Sequence, residues 1–479
     1  MKSDKIAQQI KQDLHNNTDI IIRQIAFKQT SLCVVYVDEI VDMEQINLNI
    51  IGAINSYNKK SKLDIKSLYM RLINVAQCER VSEYSQALQK LLQGNAIIVV
   101  DDCEEYLAVN VTKYQSRAIT EPPTSVVVKG PREGFNENIK TNISLLRKRL
   151  VTDDLVLEDF NIGTKTKTAV KIAYLNSVTD PSVVSKLRNK LNSIQIDGIL
   201  DSYYIAKLLE EHPRSMFRQI GSAEKPDIIC SKMLEGRVAI FVDGSPLVLT
   251  VPFVAMEDLQ NSNDYYSDSH RATALRIIRL LSIMTSIFVP GFYIALQLYH
   301  YKVMPLKFLI TIVNSTQNLP LSPFLEIFFI IILFEILFEA SLRMPKYLGI
   351  AISIVGALIL GDTAVKAGLV SPPGVMIVAL SAITIYTLPD QHAQLSTLRL
   401  FYTFIGGVLG FQGILLSTIV LLVYLCDFDS YGAPYLSPIA PFNKSDQKDF
   451  VIKVPLQQMT TRPKSFPNKN RRRKVWKRR

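Results

Sequence analysis

The chain has 479 residues, of which 48% are hydrophobic, and it carries a formal net charge of +11. Eight of these charges come from the last eleven residues, KNRRRKVWKRR, so the remainder is close to neutral and shows no aromatic-rich basic face for nucleic acid. No CxxC pair occurs, which argues against a zinc site or a disulfide framework. The five cysteines are Cys33, Cys78, Cys103, Cys230 and Cys426.

Charged residues are frequent up to Arg279 and sparse from Leu280 to Cys426. This asymmetry predicts a soluble half followed by an all-α, multi-pass membrane domain. The first residues, MKSDKIAQQIKQDLHNN, lack the apolar segment of a secretory signal, so we expect the soluble half on the cytoplasmic side. Residues 1–20 are interpreted as a polar, partly helical lead-in.

Two parts of the soluble half resemble each other. Residues 33–42 align with residues 171–180 at an offset of 138, and residues 92–101 align with residues 234–243 at an offset of 142. Each copy has an apolar strand and a helix, then a second helix that ends at glycine before two further strands. This repetition predicts two related α/β lobes.

Glycine and aspartate mark equivalent places in the two copies. Gly94 and Gly236 fit helix C-caps, while Asp101 and Asp243 fit hairpin turns, so these aspartates are interpreted as turn residues and not as a metal or catalytic pair. We expect the lobes to cover residues 21–114 and 115–270.

Between the repeated parts lies the stretch 121–150, EPPTSVVVKGPREGFNENIKTNISLLRKRL. Its beginning is extended in character, and its apolar residues then recur with helical spacing at Ile139, Ile143, Leu146 and Leu150. A nucleotide-binding P-loop is excluded, because Phe135 follows the glycine where Lys and Ser/Thr are required.

Two roles stay open for the basic helix of this stretch. The helix that carries Arg147 and Arg149 could belong to the second lobe or dock against a neighbour, where the arginines would function at an interface. Alternatively, Arg132 and Glu133 pair locally at the start of the helix while both later arginines remain in solvent.

The membrane domain is expected at residues 271–428, followed by a tail at 429–479 with a basic C-terminus that faces the cytoplasm and anionic lipid. Because a cytoplasmic N-terminal domain and a cytoplasmic tail require an even number of crossings, we predict four spans. They are 280–298, 323–342, 347–370 and 400–426, with 304–313 and 374–389 as possible re-entrant segments.

Three glutamates interrupt the second span. Glu335 and Glu339 share a helix face, and Glu326 lies nearly opposite Glu335. Because a carboxylate in contact with lipid is costly, we expect these side chains to face the bundle interior, a water path or a basic partner such as Arg343.

The third span has small residues at three- and four-residue spacing from Gly349 to Gly368, a pattern typical of close helix packing in lipid. Asp362 and Lys366 form an i, i+4 pair near its end. Three interpretations of this pair remain: an internal ion pair, a cytoplasmic helix end, or a pore lining.

The sequence contains no Ser/His/Asp, Cys/His or metal-ligand arrangement, and its five histidines occupy unrelated contexts. We therefore predict no enzyme activity, no catalytic or metal-binding residues and no cofactor.

Motifs spread over residues 115–440 resemble the A subunit of GerA-type spore germination receptors. Besides the stretch 121–150, the motifs that carry the resemblance are DGILDS at 197–202, KPD at 225–227, LEGRVA at 234–239, DYY at 264–266, IVGA at 354–357, AGLVSP at 367–372 and GAPYLSP at 432–438. The signature itself comprises Glu121, Pro122, Lys129, Gly130, Pro131, Arg132, Glu133, Gly134, Phe135, Thr141, Asn142, Arg147 and Arg149.

The resemblance implies a nutrient germinant receptor subunit in the inner membrane of the bacterial endospore. It also implies that the chain works together with a transporter-like B subunit and a lipoprotein C subunit, and that A subunits oligomerise around an ion path. As a hypothesis, Val355, Ile359 and Asp362 line the constriction of that path beside Lys366, and Glu335 and Glu339 line its vestibule.

Two other functions stay open. A solute or proton transport subunit would use the membrane glutamates as its sites. A non-conducting scaffold would only assemble the receptor complex.

Overall fold

The computed structural model describes residues 2–27, 30–57, 64–113, 129–343, 345 and 359–473. The chain divides into two units. The first comprises Met1–Val254, Asp429–Ala433 and Leu456–Arg479, and the second comprises Ala255–Phe428 and Pro434–Pro455.

The first lobe of the first unit is a five-stranded antiparallel sheet with the strand order β1-β2-β4-β5-β3. Its strands are β1 (Ile20–Phe27), β2 (Thr30–Val37), β3 (Cys78–Val81), β4 (Asn95–Val100) and β5 (Tyr106–Asn110). Helices α1 (Lys2–Asp13) and α2 (Tyr84–Leu92) pack on it, and short helical segments lie at Asp38–Ile40, Met43–Gln45, Ile46–Gly52, Ala53–Asn55, Ile65–Ser67 and Leu68–Leu72.

The second lobe repeats this architecture with the strand order β6-β7-β9-β10-β8. Its strands are β6 (Leu155–Ile162), β7 (Thr168–Leu175), β8 (Gly221–Ala223), β9 (Val238–Val242) and β10 (Val248–Val251). Its helices are α3 (Ile139–Arg149), α4 (Pro181–Ser193), α5 (Ser202–Leu209) and α6 (Pro226–Leu234).

Both faces of the second sheet are buried, so its central strand is apolar throughout. Ala239 and Phe241 of β9 enter the core beneath α3 and α6, while Val238, Ile240 and Val242 enter the core beneath α4 and α5. Side chains of a strand alternate between faces, which is why a continuous apolar run fills both cores.

The predicted duplication is confirmed down to the strand register. Leu32 pairs with Val100, and Val170 pairs with Val242, which lie 138 and 142 residues farther along. The turn residues also match, since Asp102 and Gly244 both have a positive φ. The C-cap glycines Gly94 and Gly236 have φ values of +91° and +103°, as a helix that ends in the left-handed region requires.

The residues predicted as a polar lead-in form α1, and its apolar face belongs to the first core. Ala7, Ile10 and Leu14 are at most 1% exposed there. Their spacing of three and four residues places them on one side of the helix, which explains why a segment of polar composition is nevertheless buried.

Part of the predicted tail returns to the first unit. Strands β11 (Asp429–Ser430) and β12 (Ala433–Pro434) form a small hairpin, and Ala433 packs with Val254 and Phe466. The hydroxyl of Ser430 accepts a hydrogen bond from the Phe253 N–H and donates one to the Gln219 carbonyl. These contacts join the tail to the second lobe.

The second unit is helical. Its principal helices are α7 (Ser269–Leu298), α8 (Leu306–Thr316), α9 (Pro323–Arg343), α10 (Pro372–Ile385) and α11 (His392–Cys426). Short helical segments lie at Ala255–Leu259, Ser262–Tyr265, Tyr301–Val303, Ile359–Thr363, Ala364–Lys366, Pro389–Gln391, Asp446–Lys448 and, in the first unit, Leu456–Gln458.

Among the described helices, two are long and apolar enough to cross a membrane: α7 and the segment Pro389–Cys426, which contains α11. Both begin before the predicted spans at residues 280 and 400, because those spans were defined by the absence of charge. The 11-residue α8 and the 14-residue α10 are shorter than the roughly 20 residues of a full crossing. Residues 347–358, half of the predicted span 347–370, lie outside the described residues, so the four crossings stay a prediction.

Glycines bring α7 and α11 into backbone contact. A Cβ at Gly406 would overlap the backbone of Gly291, and a Cβ at Gly291 would overlap the carbonyl of Tyr402. Close approach of this kind is the packing that small residues permit in membrane helices. Farther along α11, Gly410 has a φ of +65°, and the helix kinks there.

Candidate functional site

The helix predicted after the signature motif begins at a network of asparagines. The Asn138 side chain caps α3 by accepting hydrogen bonds from the N–H groups of Lys140 and Thr141. Asn142 accepts from the Asn136 N–H at 2.9 Å and donates to its carbonyl at 2.6 Å. The loop before α3 is therefore held in one conformation by its own polar side chains.

The same loop is attached to the second sheet. Phe135 is buried edge-to-face against Phe241, with ring centroids 5.7 Å apart, and its N–H donates to the Glu224 carbonyl. The carboxylate of Asp243 accepts a hydrogen bond from the first N–H of α3, at Ile139. Asp243 thus connects a hairpin turn to a helix N-terminus, which agrees with its interpretation as a turn residue.

Glu133 forms ion pairs with two basic side chains at the end of α3. Its two carboxylate oxygens lie 2.7 Å from Lys148 and 2.7 Å from Arg149. The hydrogen bond from Lys148 is the main reason that the pKa of Glu133 lies below its usual value. Arg149 therefore belongs to the local pairing.

Arg147, in contrast, docks between the lobes. Its guanidinium forms an ion pair with Asp19, immediately before β1, and the two side chains are 3% and 0% exposed. On the same helix, Lys140 lies 2.7 Å from Asp38, which follows β2. One face of α3 is thus bound to the first lobe by two cation–carboxylate pairs.

A third interlobe pair extends this cluster of charges. Lys171 of β7 lies 3.1 Å from Glu39 of the first lobe and 3.3 Å from Asp159 of β6. Burial, with the nearby Asp19 carboxylate, raises the pKa of Glu39 to about 7, against the opposing effect of Lys171. Sequence reasoning missed Asp19 and Glu39, since neither lies in a recognisable motif.

Asn17 adds an uncharged interlobe contact. Its side chain donates to the Leu155 carbonyl and accepts from the Leu157 N–H, both at 2.7 Å, on β6. The side chain is 1% exposed. Asn17 thus satisfies two main-chain groups of the second sheet in the way that a neighbouring strand would.

In the second unit, the structure separates the two glutamates predicted to share a vestibule. Glu335 accepts hydrogen bonds from Ser396 and from Arg399 of α11, and Arg399 is 2% exposed. The sequence feature that could have indicated this pair is Arg399, a lone arginine directly before the predicted span that begins at residue 400.

Glu339 pairs instead with Arg343 on its own helix, the partner that the sequence suggested. Its carboxylate is 59% exposed and the guanidinium 79% exposed. The predicted pair of Asp362 and Lys366 is also present, with 2.7 Å between the charged atoms and exposures of 55% and 75%.

The remaining predicted residues are only partly described. Glu121, Pro122 and Val355 lie outside the described residues. Ile359 begins the short helical segment Ile359–Thr363. Lys129, Pro131 and Gly134 lie in irregular structure, where Gly130 has a φ of +122°. Within the described ranges, no group of three His, Cys, Asp or Glu side chains could hold a metal ion.

The DYY motif supports the beginning of α7. Asp264 is fully buried and accepts hydrogen bonds from Arg276 and Arg279, about two and three turns into the helix. Arg276 is fully buried too, and it also contacts Asp449 at 2.9 Å. The two arginines that precede the charge-free part of α7 therefore have intramolecular partners.

Comparison with known proteins gives consistent results. The model of the Bacillus/Clostridium GerA spore germination protein family matches residues 8–465. The chain is 34% identical to the uncharacterized membrane protein YfkQ of Bacillus subtilis (strain 168), over 97% of this chain and 93% of that protein. It is 33% identical to spore germination protein KA of the same organism, over 96% of this chain and 86% of that protein.

A solved structure also resembles part of the chain. The crystal structure of the N-terminal domain of the A subunit of the Bacillus megaterium spore germinant receptor GerK3 matches 51% of this chain and 91% of that domain. The identity is 28% and the TM-score is 0.40.

Proposed function

Because this chain belongs to the Bacillus/Clostridium GerA family of spore germination proteins, we propose that it converts germinant binding into ion release as a gated ion channel. It is the A subunit of a germinant receptor involved in spore germination. The conducting form in this proposal is an oligomer of A subunits in the inner membrane of the endospore. A transporter-like B subunit and a lipoprotein C subunit complete the receptor.

The observation that carries the channel proposal is a pair of exposed charge clusters in apolar surroundings. Glu339 with Arg343, and Asp362 with Lys366, are each more than half exposed. A charged side chain that faces lipid near the bilayer centre costs about 2.5–3.5 kcal/mol on insertion scales. These groups therefore need water, a headgroup region or another protein surface beside them. A water-filled path between subunits would provide both water and a protein surface.

Exposed apolar surface supports the oligomer. Only 17% of the most apolar part of the segment Pro389–Cys426 is buried. Leu416, Val420 and Val423 on its outer surface are each more than 60% exposed. Such a surface is suited to lipid or to a second copy of the chain.

A solute transporter that uses the glutamates is the second candidate, and the pairing of Glu335 weighs against it. A transport site must release its charge to a substrate or a proton during each cycle. Glu335 is instead held by a buried arginine and a serine hydroxyl. If the Glu335 carboxylate bound a substrate or a proton instead, the Arg399 guanidinium would remain buried without its partner, which is strongly unfavourable.

The experiment that tests the channel is potassium release from dormant spores in the absence of germinant. We expect spontaneous release from spores that carry Val355→Ala, Ile359→Ala or Asp362→Asn, because each change widens or alters the proposed constriction. Normal protein levels in the spore membrane are checked first by immunoblot.

The matched control is Asp427→Asn, which removes an exposed aspartate after the end of α11 and should leave release unchanged. If all three variants retain potassium and still respond to nutrient, the constriction is not in this segment. If the Glu335→Gln variant abolishes uptake of a solute, the transport function is correct instead.

A further inference from the structure

Glu326 is a buried carboxylate at the place where α7, α9 and α10 meet. It is 1% exposed, and its Oε1 accepts hydrogen bonds from the N–H of Ser371 at 2.7 Å and from the Ser371 hydroxyl at 2.6 Å. Ser371 in turn caps α10 by accepting from the Gly374 N–H at 3.0 Å. A Cβ at Gly374 would overlap Oε1, so glycine leaves the space that the carboxylate occupies.

The carboxylate of Glu326 accepts the two hydrogen bonds from Ser371 at the N-terminus of α10. Hydrogen bonds to a carboxylate and the N-terminus of a helix both stabilise a negative charge. Both hydrogen bonds reach Oε1, and no described residue donates to Oε2. Glu335 and Glu339 each have an arginine partner, whereas no described basic residue pairs with Glu326.

Helix α7 brings two further polar side chains to the same place. Tyr293 is 6% exposed, and its hydroxyl lies beside Ser371 and Gln297 and interacts electrostatically with Glu326. Within the described part of the chain, no hydrogen bond of good geometry reaches this hydroxyl or the amide oxygen and nitrogen of Gln297, although all three atoms are buried and the hydroxyl lies near the amide. Buried polar atoms without partners are costly, so they indicate a bound species.

We propose that Glu326, Tyr293 and Gln297 form a binding site for a monovalent cation of the Na⁺ or K⁺ type. The oxygens of a carboxylate, a phenol and an amide are hard ligands suited to alkali cations. One carboxylate supplies a single negative charge, which a monovalent ion balances, whereas Ca²⁺ sites normally use several carboxylates. The bound ion would join α7 to α9 and to the N-terminus of α10, and this role does not depend on whether the chain conducts ions.

The test compares the melting temperature of the purified full chain in detergent in NaCl, KCl and N-methyl-D-glucamine chloride at equal ionic strength. A ligand that binds only the folded state raises the melting temperature as its concentration increases. We expect a rise of several degrees that saturates in at least one alkali salt. Binding of radioactive sodium or rubidium to the same protein provides the direct measurement.

Two variants test the ligands. Glu326→Gln removes the charge, and Tyr293→Phe removes one oxygen while it keeps the ring, and each should weaken cation binding by about tenfold or more. The control is Asp427→Asn, at an exposed carboxylate after the end of α11, which should bind the cation as the wild type does.

The proposal is overturned if the wild-type chain melts at the same temperature in all three salts and retains no radioactive ion. A buried water molecule or a proton on Glu326 would produce that result. It is overturned equally if both ligand variants bind the cation with wild-type affinity. Because the comparison of salts uses the wild-type chain, a variant that fails to fold does not prevent a decision.

Discussion

Arg147 of the signature helix and Asp19 before the first strand form an ion pair in which the two side chains are 3% and 0% exposed. They lie 128 residues apart in the sequence and belong to different lobes. The helix that carries the family motif is thus a structural connection between the two halves of the repeated domain.

Replacement of Arg147 by alanine should destabilise the first unit by about 3–5 kcal/mol, because it leaves the Asp19 carboxylate buried without a partner. Thermal unfolding of the purified full chain, followed by circular dichroism, measures the change. Arg149→Ala is the matched control, since Glu133 keeps its ion pair with Lys148 in that variant, and it should cost about 1 kcal/mol or less. Equal losses in the two variants would contradict the interlobe role of Arg147.

The stability of the lobes should depend on the protonation of Glu39. Its pKa is raised from 4.5 to about 7 in the folded chain, mainly by burial, so the folded state binds a proton more tightly than the unfolded state. The contribution of Glu39 to the free energy of unfolding should therefore be most favourable below pH 4.5. It should fall by roughly 2–3 kcal/mol as the pH rises from about 4.5 to about 7.

Glu39→Gln should remove this pH dependence while it keeps the size of the side chain. Melting temperatures at a series of pH values, for the wild type and the variant, make the comparison. Glu44→Gln, at an exposed position in the same lobe, should leave the slope unchanged. An unaltered slope in the Glu39→Gln variant would assign the dependence to other groups.

Asn17→Ala should weaken the contact between lobes by about 2–3 kcal/mol, since it leaves a carbonyl and an N–H of β6 without their partner. Hydrogen exchange of the Leu157 amide reports the effect locally and should become faster. Asn16→Ala tests a neighbouring exposed asparagine, and it should leave that amide protected. Unchanged protection in Asn17→Ala would show that β6 does not depend on this side chain.

Gly406→Ala should separate α7 from α11, because the added methyl group would overlap the backbone of Gly291. We expect a loss of about 1–3 kcal/mol, measured as a lower melting temperature in detergent. At Gly361 no atom of the described residues, apart from its neighbours in its own helix, lies within 4 Å of the position of a Cβ, so Gly361→Ala should not weaken packing. A similar melting temperature for both variants would contradict the close approach of the two helices.

The repeated α/β architecture could be predicted because it depends on local patterns. Apolar strands, cap glycines and turn residues such as Asp243 occur at nearly constant offsets, and these patterns determine the register of each sheet. The helix 139–149 was predictable for the same reason, from the spacing of its four apolar residues.

The pairing of charges could not be predicted in the same way. Asp19 lies in a segment whose polar composition gave no reason to expect burial, and its partner is 128 residues away. Glu335 and Arg399 are likewise 64 residues apart and come together only when α9 packs on α11. Local patterns do not contain such partners, because the choice is made by the packing of whole elements.

The return of the tail to the first unit has a topological consequence. The chain leaves that unit after Val254 and re-enters it at Asp429, and Val254 and Ala433 share one small core with Phe466. The segment between Val254 and Asp429 is therefore an insertion whose two ends join the same unit. The first unit is therefore complete only after the helices of the second unit have been synthesised, because its last segments, Asp429–Ala433 and Leu456–Arg479, follow them in the chain.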